Sequence, residues 1–219
     1  EADLQNIKSA PMGAQALVIH TGNIYIADCS FIGTDVGLRF KSTRGRGGVV
    51  ENIYIENIAM INIPEEPLLF DLFYGKKGKA TAGELPPVTE ETPIFRNIHI
   101  NNVVCRGAGR AMYFNGLPEM KISNVNIENT TILGAKSGIV INRADGVNIK
   151  NCCIEPLKGN VIRLSDAINI NIDGLTTTPA SASAQIQSGC DNITIKHSDI
   201  VKEKITFAEG VAPETVTFK

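Results

Sequence analysis

The sequence predicts an all-β protein built as a parallel β-helix, and two observations carry that prediction. The first is a recurring unit. Asn23-Ile-Tyr-Ile26 returns as Asn52-Ile-Tyr-Ile55, Asn97-Ile-His-Ile100, Asn124-Val-Asn-Ile127, Asn169-Ile-Asn-Ile172 and Asn192-Ile-Thr-Ile195, with Gly146-Val-Asn-Ile149 as a variant. The units start about 29, 45, 27, 22, 23 and 23 residues apart, a spacing typical of stacked repeats. Within each unit apolar and polar residues alternate, as in a half-buried strand, and no segment sustains a helical period. The second observation is a column five residues after each unit begins: Asp28, Asn57, Asn102, Asn129, Asn151, Gly174 and His197. Most of these residue types tolerate a left-handed turn or hydrogen-bond their own backbone. Stacked coils would line them up along one corner of a solenoid, with the isoleucines of each unit stacked inside.

Taken in order, residues 1–20 have to cap the first coil or form a degenerate one, because a solenoid needs covered ends. After the first unit comes Phe31-Ile-Gly-Thr-Asp35-Val-Gly-Leu-Arg39-Phe-Lys41-Ser-Thr-Arg44-Gly-Arg46-Gly-Gly48. Arg39 and Lys41 are two apart and share one face of a strand. The following glycines form a turn in which Arg44 and Arg46 can fold back beside that face. A guanidinium fork next to an ammonium suits a carboxylate or phosphate; the plainer alternative is a solvated cationic turn. The long interval before Asn97 holds an inserted loop over residues 75–95, with lysines, then prolines, then Glu90-Glu91. Long loops in compact repeat proteins are functional or disordered, and this one is placed to overhang Arg39 and Lys41. From about residue 146 the coils are regular. Thr176-Thr-Thr178 and Ala180-Ser-Ala-Ser-Ala184 read as spacer, and residues 211–219, with Val216-Thr-Phe218, as a terminal strand.

A chain of 219 residues with 43% hydrophobic and 20% charged content supports one ordinary globular domain, here residues 1–219. A net charge of -2 argues against nucleic acid as the partner. No apolar run approaches the roughly 20 residues that cross a bilayer, so no membrane partner is expected. The chain opens Glu1-Ala-Asp3, with no leader in view, which is compatible with export of a processed chain. Cys29, Cys105, Cys152, Cys153 and Cys190 are odd in number and lack metal-ligand spacing. They read as buried free thiols, and neither a metal nor a cofactor is implied.

Several motifs then fall in order. Gly37-Leu-Arg39-Phe-Lys41, followed by Arg44-Gly-Arg-Gly-Gly48, resembles the Arg-Ile-Lys element of glycoside hydrolase family 28, the polygalacturonases. Val49-Val-Glu-Asn-Ile53, Leu69-Phe-Asp-Leu-Phe-Tyr74, Pro86-Pro-Val-Thr-Glu-Glu-Thr-Pro93 and Gly107-Ala-Gly-Arg-Ala-Met-Tyr-Phe-Asn-Gly-Leu-Pro118 resemble the bacterial branch of that family. The resemblance runs from about Asn23 to Asn129 and more loosely beyond. It implies a right-handed, pectin-lyase-like parallel β-helix, here of about seven to eight coils, and an acidic galacturonate polysaccharide or oligosaccharide as partner. It also implies a periplasmic or secreted bacterial setting. Arg39 and Lys41 match the pair that holds the sugar carboxylate, and Tyr74 matches the substrate-contacting tyrosine; Arg44 and Arg46 join them as substrate-binding candidates.

The catalytic half of the pattern departs from the family. Inversion needs a carboxylic acid and a carboxylate base about 6.5–9.5 Å apart. The family's Asn-Thr-Asp, Asp-Asp and Gly-His-Gly elements do not occur; Gly13-Ala-Gln-Ala-Leu-Val-Ile19 resembles a degenerate Gly-His-Gly segment, with Ala14 in place of the histidine. The chain therefore resembles the C-terminal portion of such an enzyme and is expected to be catalytically impaired. No residue is assigned as catalytic, and Asp35 and Asp71 remain the candidates. Asp35 doubles as a turn residue and Asp71 as a neutraliser of the basic pair. His20, His99 and His197 read as surface or ladder residues, while Arg106 and Arg110 would extend the cationic groove by one coil. A non-catalytic oligogalacturonate-binding solenoid is one alternative. Another is an assembly module, a homo-oligomer pairing through an uncapped N-terminal coil.

Overall fold

The computed structural model describes residues 20–74 and 85–219. Its strands are β1 (His20–Ile32), β2 (Leu38–Lys41), β3 (Val49–Ile63), β4 (Leu68–Asp71), β5 (Ile94–Asn115) and β6 (Ile122–Pro156). They continue as β7 (Ile162–Thr176), β8 (Ala184–Ile186), β9 (Asp191–Lys196), β10 (Ile205–Phe207) and β11 (Val216–Phe218). Among the described residues the only helical turns are short 3-10 pieces at Lys202–Lys204 and Pro213–Thr215.

Parallel pairing sets each repeat on the one before it. Ile24 lies opposite Ile53, Ile53 opposite Ile98, and Ile98 opposite Val125. Further along, Val147 faces Ile170, Ile170 faces Ile193, and Ile193 faces Val216. From Ile53 to Ile195 the apolar residues one and three places into each unit are buried. The molecule is thus a parallel β-helix whose core is a stack of like on like, where β-branched side chains fit the pleat.

The corners explain why β5 and β6 are so long. Asn57, Asn102, Asn129 and Asn151 have φ between 50° and 58°. This bends the chain at a single residue, and pairing with the neighbouring coil continues on either side of it. The opening asparagines of the units form a second corner of the same kind: Asn23, Asn52, Asn97 and Asn124 also lie between 50° and 58°. Their side-chain amides run as a ladder, Asn97 donating to Asn52 at 3.2 Å and Asn124 to Asn97 at 2.8 Å. A left-handed position at such a corner favours Asn, whose amide also reaches the coils above and below.

Cys105 and Cys152 are buried and all five thiols are free. The spacer near residue 180 packs more closely than a loop, with Ser181 and Ala182 buried; small side chains let it lie against the coil. β11 pairs with β9. The expected cap over residues 1–20 and the degenerate Gly13–Ile19 segment lie outside the described residues except for His20, as do residues 75–84 of the inserted loop.

Candidate anion-binding site

The site stands on a stack of phenylalanines. In β2, Leu38 is buried and Phe40 turns inward, its ring 4.7 Å from that of Phe70, which lies 4.4 Å from Phe114. Because strand side chains alternate, this anchoring sends Arg39 and Lys41 outward. The register sets Arg39 over Leu69 and Lys41 over Asp71, with Tyr113 and Asn115 on the next coil.

Beyond β2 the chain keeps its contact with the next coil. Ser42 N–H donates to Asp71 at 2.9 Å, and Tyr74 N–H donates to Ser42 at 3.1 Å. This carries Tyr74 back to the basic pair, and the Lys41 Nζ lies 4.2 Å from the centre of its ring. The partly exposed ring and the exposed ammonium set a cation beside an aromatic face, an arrangement open to an anionic group.

The turn after Lys41 is pinned by the returning end of the inserted loop. Gly45 and Gly47 both donate backbone N–H groups to the Glu91 carbonyl at 3.0 Å. Gly47 has φ +60, and a Cβ there would lie 2.1 Å from the Glu90 carbonyl oxygen, so only glycine fits.

Of the remaining cations, Arg44 and Arg110 are paired with carboxylates. Arg44 donates its Nη2 to Glu119 at 2.7 Å and a second bond from Nε to the same carboxylate, a bidentate fork. The Glu119 side chain is only 3% exposed, and the Arg44 guanidinium holds its carboxyl below the usual range. Arg44 is therefore a tie between the turn and the loop after β5. Arg46 is exposed. Arg110 donates to Glu66 and lies 3.8 Å from the Tyr113 ring centre, so it braces the groove with its charge already paired.

Arg39 has two acidic neighbours. Its Nη2 donates to Asp35 at 2.9 Å and lies 3.9 Å from a Glu65 carboxylate oxygen. A backbone bond from Glu65 N–H to the Asp35 carbonyl, 2.9 Å, holds the two acidic residues on adjacent coils. The Arg39 guanidinium and the Val36 N–H keep the Asp35 carboxyl below its ordinary range. Asp71 accepts from the Asn115 amide at 2.8 Å and from Phe73 N–H at 3.0 Å. The lowered Asp35 carboxyl is the opposite of the raised one that a general acid needs at neutral pH.

The histidines stand apart: His20 pairs with Glu51, His99 stacks on Tyr54, and His197 meets Asp173. Among the described residues no cluster of His, Cys, Asp and Glu has the geometry to hold a metal. Glu65 and Glu119 are the site-forming residues that sequence reasoning missed. For Glu65 a signal existed, since the spacing of about 29 residues between the first two units carries Asp35 to the position beside it. For Glu119, no repeat links it to Arg44.

Residues 12–103 match the family model described as Glycosyl hydrolases family 28. A polygalacturonase of Ralstonia nicotianae is 29% identical over 180 residues, covering 74% of this chain and 31% of that protein. One of Ralstonia solanacearum is 33% identical over 123 residues, 51% of this chain and 21% of that protein. One of Juniperus ashei is 31% identical over 110 residues, 49% and 21% of the two chains. The chain thus spans 21% to 31% of the length of these curated relatives. No solved structure gave a significant match.

Proposed function

The chain is related to the glycosyl hydrolases of family 28, and from that premise we propose that it binds galacturonate-containing polysaccharide through Lys41, Tyr74 and Arg39 without cleaving it. The observation that carries this reading is the Lys41–Tyr74 contact. An ammonium meets the sugar carboxylate there, beside a ring that takes the apolar face of the sugar and a hydroxyl that hydrogen-bonds its edge. Exposed Arg46 adds long-range attraction for a polyanion, while Arg44 supports the turn.

The absence of cleavage follows from the acid–base chemistry. A general acid is worth about two to four orders of magnitude in rate. Asp35 is held ionised by Arg39 and Asp71 is spent on the backbone and Asn115. A polysaccharide ligand of this kind places the protein outside the cytoplasm, in the periplasm or secreted. No helix among the described residues is long and apolar enough to cross a membrane.

Passing the purified chain over immobilised polygalacturonate tests the reading. Retention is expected at low salt and declines as salt rises, and Lys41→Ala with Tyr74→Ala elutes unretarded. Release of new reducing ends above blank, abolished by Asp35→Asn or Asp71→Asn, would show instead that the chain is a hydrolase.

A second reading rests on β1, which among the described residues pairs only with β3 and exposes Tyr25 and Ile32. Such an edge is a template for strand addition by a second copy. A monomeric mass by light scattering at high concentration would dispose of it.

A further inference from the structure

The charge balance at Arg39 differs from that at Lys41. Arg39 is a single cation faced by two carboxylates, with Asp35 at 2.9 Å and Glu65 at 3.9 Å from the same nitrogen. Their side chains are 72% and 60% exposed, so both present negative charge to a ligand as well as to Arg39. At Lys41 the ammonium rests on the Tyr74 ring, and its neighbour in register, Asp71, is occupied by Asn115 and the Phe73 backbone. The two cations lie about 7 Å apart along the strand, so neighbouring units of one oligosaccharide can reach both.

We infer that Asp35 and Glu65 are specificity-determining residues that set an uncharged, esterified uronate unit at Arg39 while Lys41 takes a free carboxylate. The inference deepens the binding reading above and rests on it. A free uronate at Arg39 has to displace Asp35 from the guanidinium and then sit beside two carboxylates. An ester carbonyl brings no charge, and it accepts a hydrogen bond from a guanidinium donor that the acids leave open. Among the described residues the Arg39 side chain makes one hydrogen bond, from Nη2 to Asp35, and a guanidinium carries five N–H donors, so donor capacity toward a ligand is retained with Asp35 in place. The two carboxylates therefore act as repulsive elements against the wrong ligand, a common source of discrimination.

The discriminating experiment is calorimetric titration at low salt with galacturonate oligomers of one length, either unesterified, alternately methyl-esterified or fully methyl-esterified. The alternately esterified oligomer is expected to bind about two- to five-fold more tightly than the unesterified one, the range open to exposed charge pairs. The fully esterified oligomer is expected to bind worst, having nothing for Lys41. Asp35→Asn with Glu65→Gln, checked for an unchanged melting temperature, is expected to abolish the preference and to tighten binding of the unesterified oligomer. Wild-type preference for the unesterified oligomer, or a preference that survives the double substitution, would overturn the inference while leaving the binding site standing. If none of the oligomers binds, the binding reading itself falls and takes this inference with it.

Discussion

The Lys41 ammonium lies 4.2 Å from the centre of the Tyr74 ring, a contact between the end of β2 and the residues just past β4. It exists because Lys41 stands over Asp71 and the chain beyond each strand runs on in step. Function at this site therefore depends on coil register as much as on the two side chains. Tyr74→Phe keeps the ring and loses the hydroxyl, whereas Tyr74→Ala loses both. The expected result is a loss of about threefold to tenfold in affinity for oligogalacturonate with Phe, and a larger loss with Ala, read by titration calorimetry.

Phe70 is fully buried between the rings of Phe40 and Phe114. Phe70→Ala is expected to cost about 3–5 kcal/mol, measured by urea unfolding. Binding should weaken as well, because Phe40 is the residue that turns Arg39 and Lys41 outward.

Asn97 holds φ 56 and links the amides of Asn52 and Asn124. Asn97→Ala loses both amide contacts and leaves an alanine in a left-handed conformation, an expected cost of about 1–3 kcal/mol. Asn97→Gly relieves the backbone and should recover part of that loss. Equal midpoints for the two variants in denaturant would mean that the left-handed corner contributes nothing.

Glu119 has its folded pKa depressed, chiefly by its hydrogen bonds from Arg44. With an unfolded value of about 4.3, it stabilises the fold above that pH, and the contribution is lost as pH falls through the folded pKa. Melting temperature should therefore drop on acidification from about pH 5 downward, and Glu119→Gln should flatten that drop while lowering stability at neutral pH. A pH profile unchanged by Glu119→Gln would remove the Arg44 tie from the account.

Burial pushes the Cys105 and Cys152 thiols up to about 11. Both should resist alkylation at pH 8 in the folded protein and react once it is unfolded, since only the thiolate is nucleophilic. Mass spectrometry of the labelled peptides reads this directly.

The solenoid was legible because its physics repeats. An isoleucine that stacks on isoleucine and an asparagine that bends each coil leave a mark every 22 to 45 residues. That the opening asparagine of each unit is itself a left-handed corner was not legible, because Asn before an alternating run reads equally well as the start of a strand. The pair Arg39 and Lys41 was visible from strand alternation. The ionic partners were not: Asp35 as the partner of Arg39 depends on a turn geometry, and Glu65 on stacking across coils. Arg44 looked like a fourth ligand-facing cation until Glu119, from a loop outside the repeat, occupied its fork. Charge runs are readable in sequence, whereas their neutralisation is a tertiary event.

The central claim, an anion site that binds without turnover, is tested most directly by titrating galacturonate oligomer into wild type and into Lys41→Ala/Tyr74→Ala, with reducing ends assayed in the recovered cell contents. The account predicts saturable binding to wild type that weakens with salt, none to the variant, and no new reducing ends in either. Absence of binding by wild type at low salt, or reducing ends accumulating above blank, would contradict it.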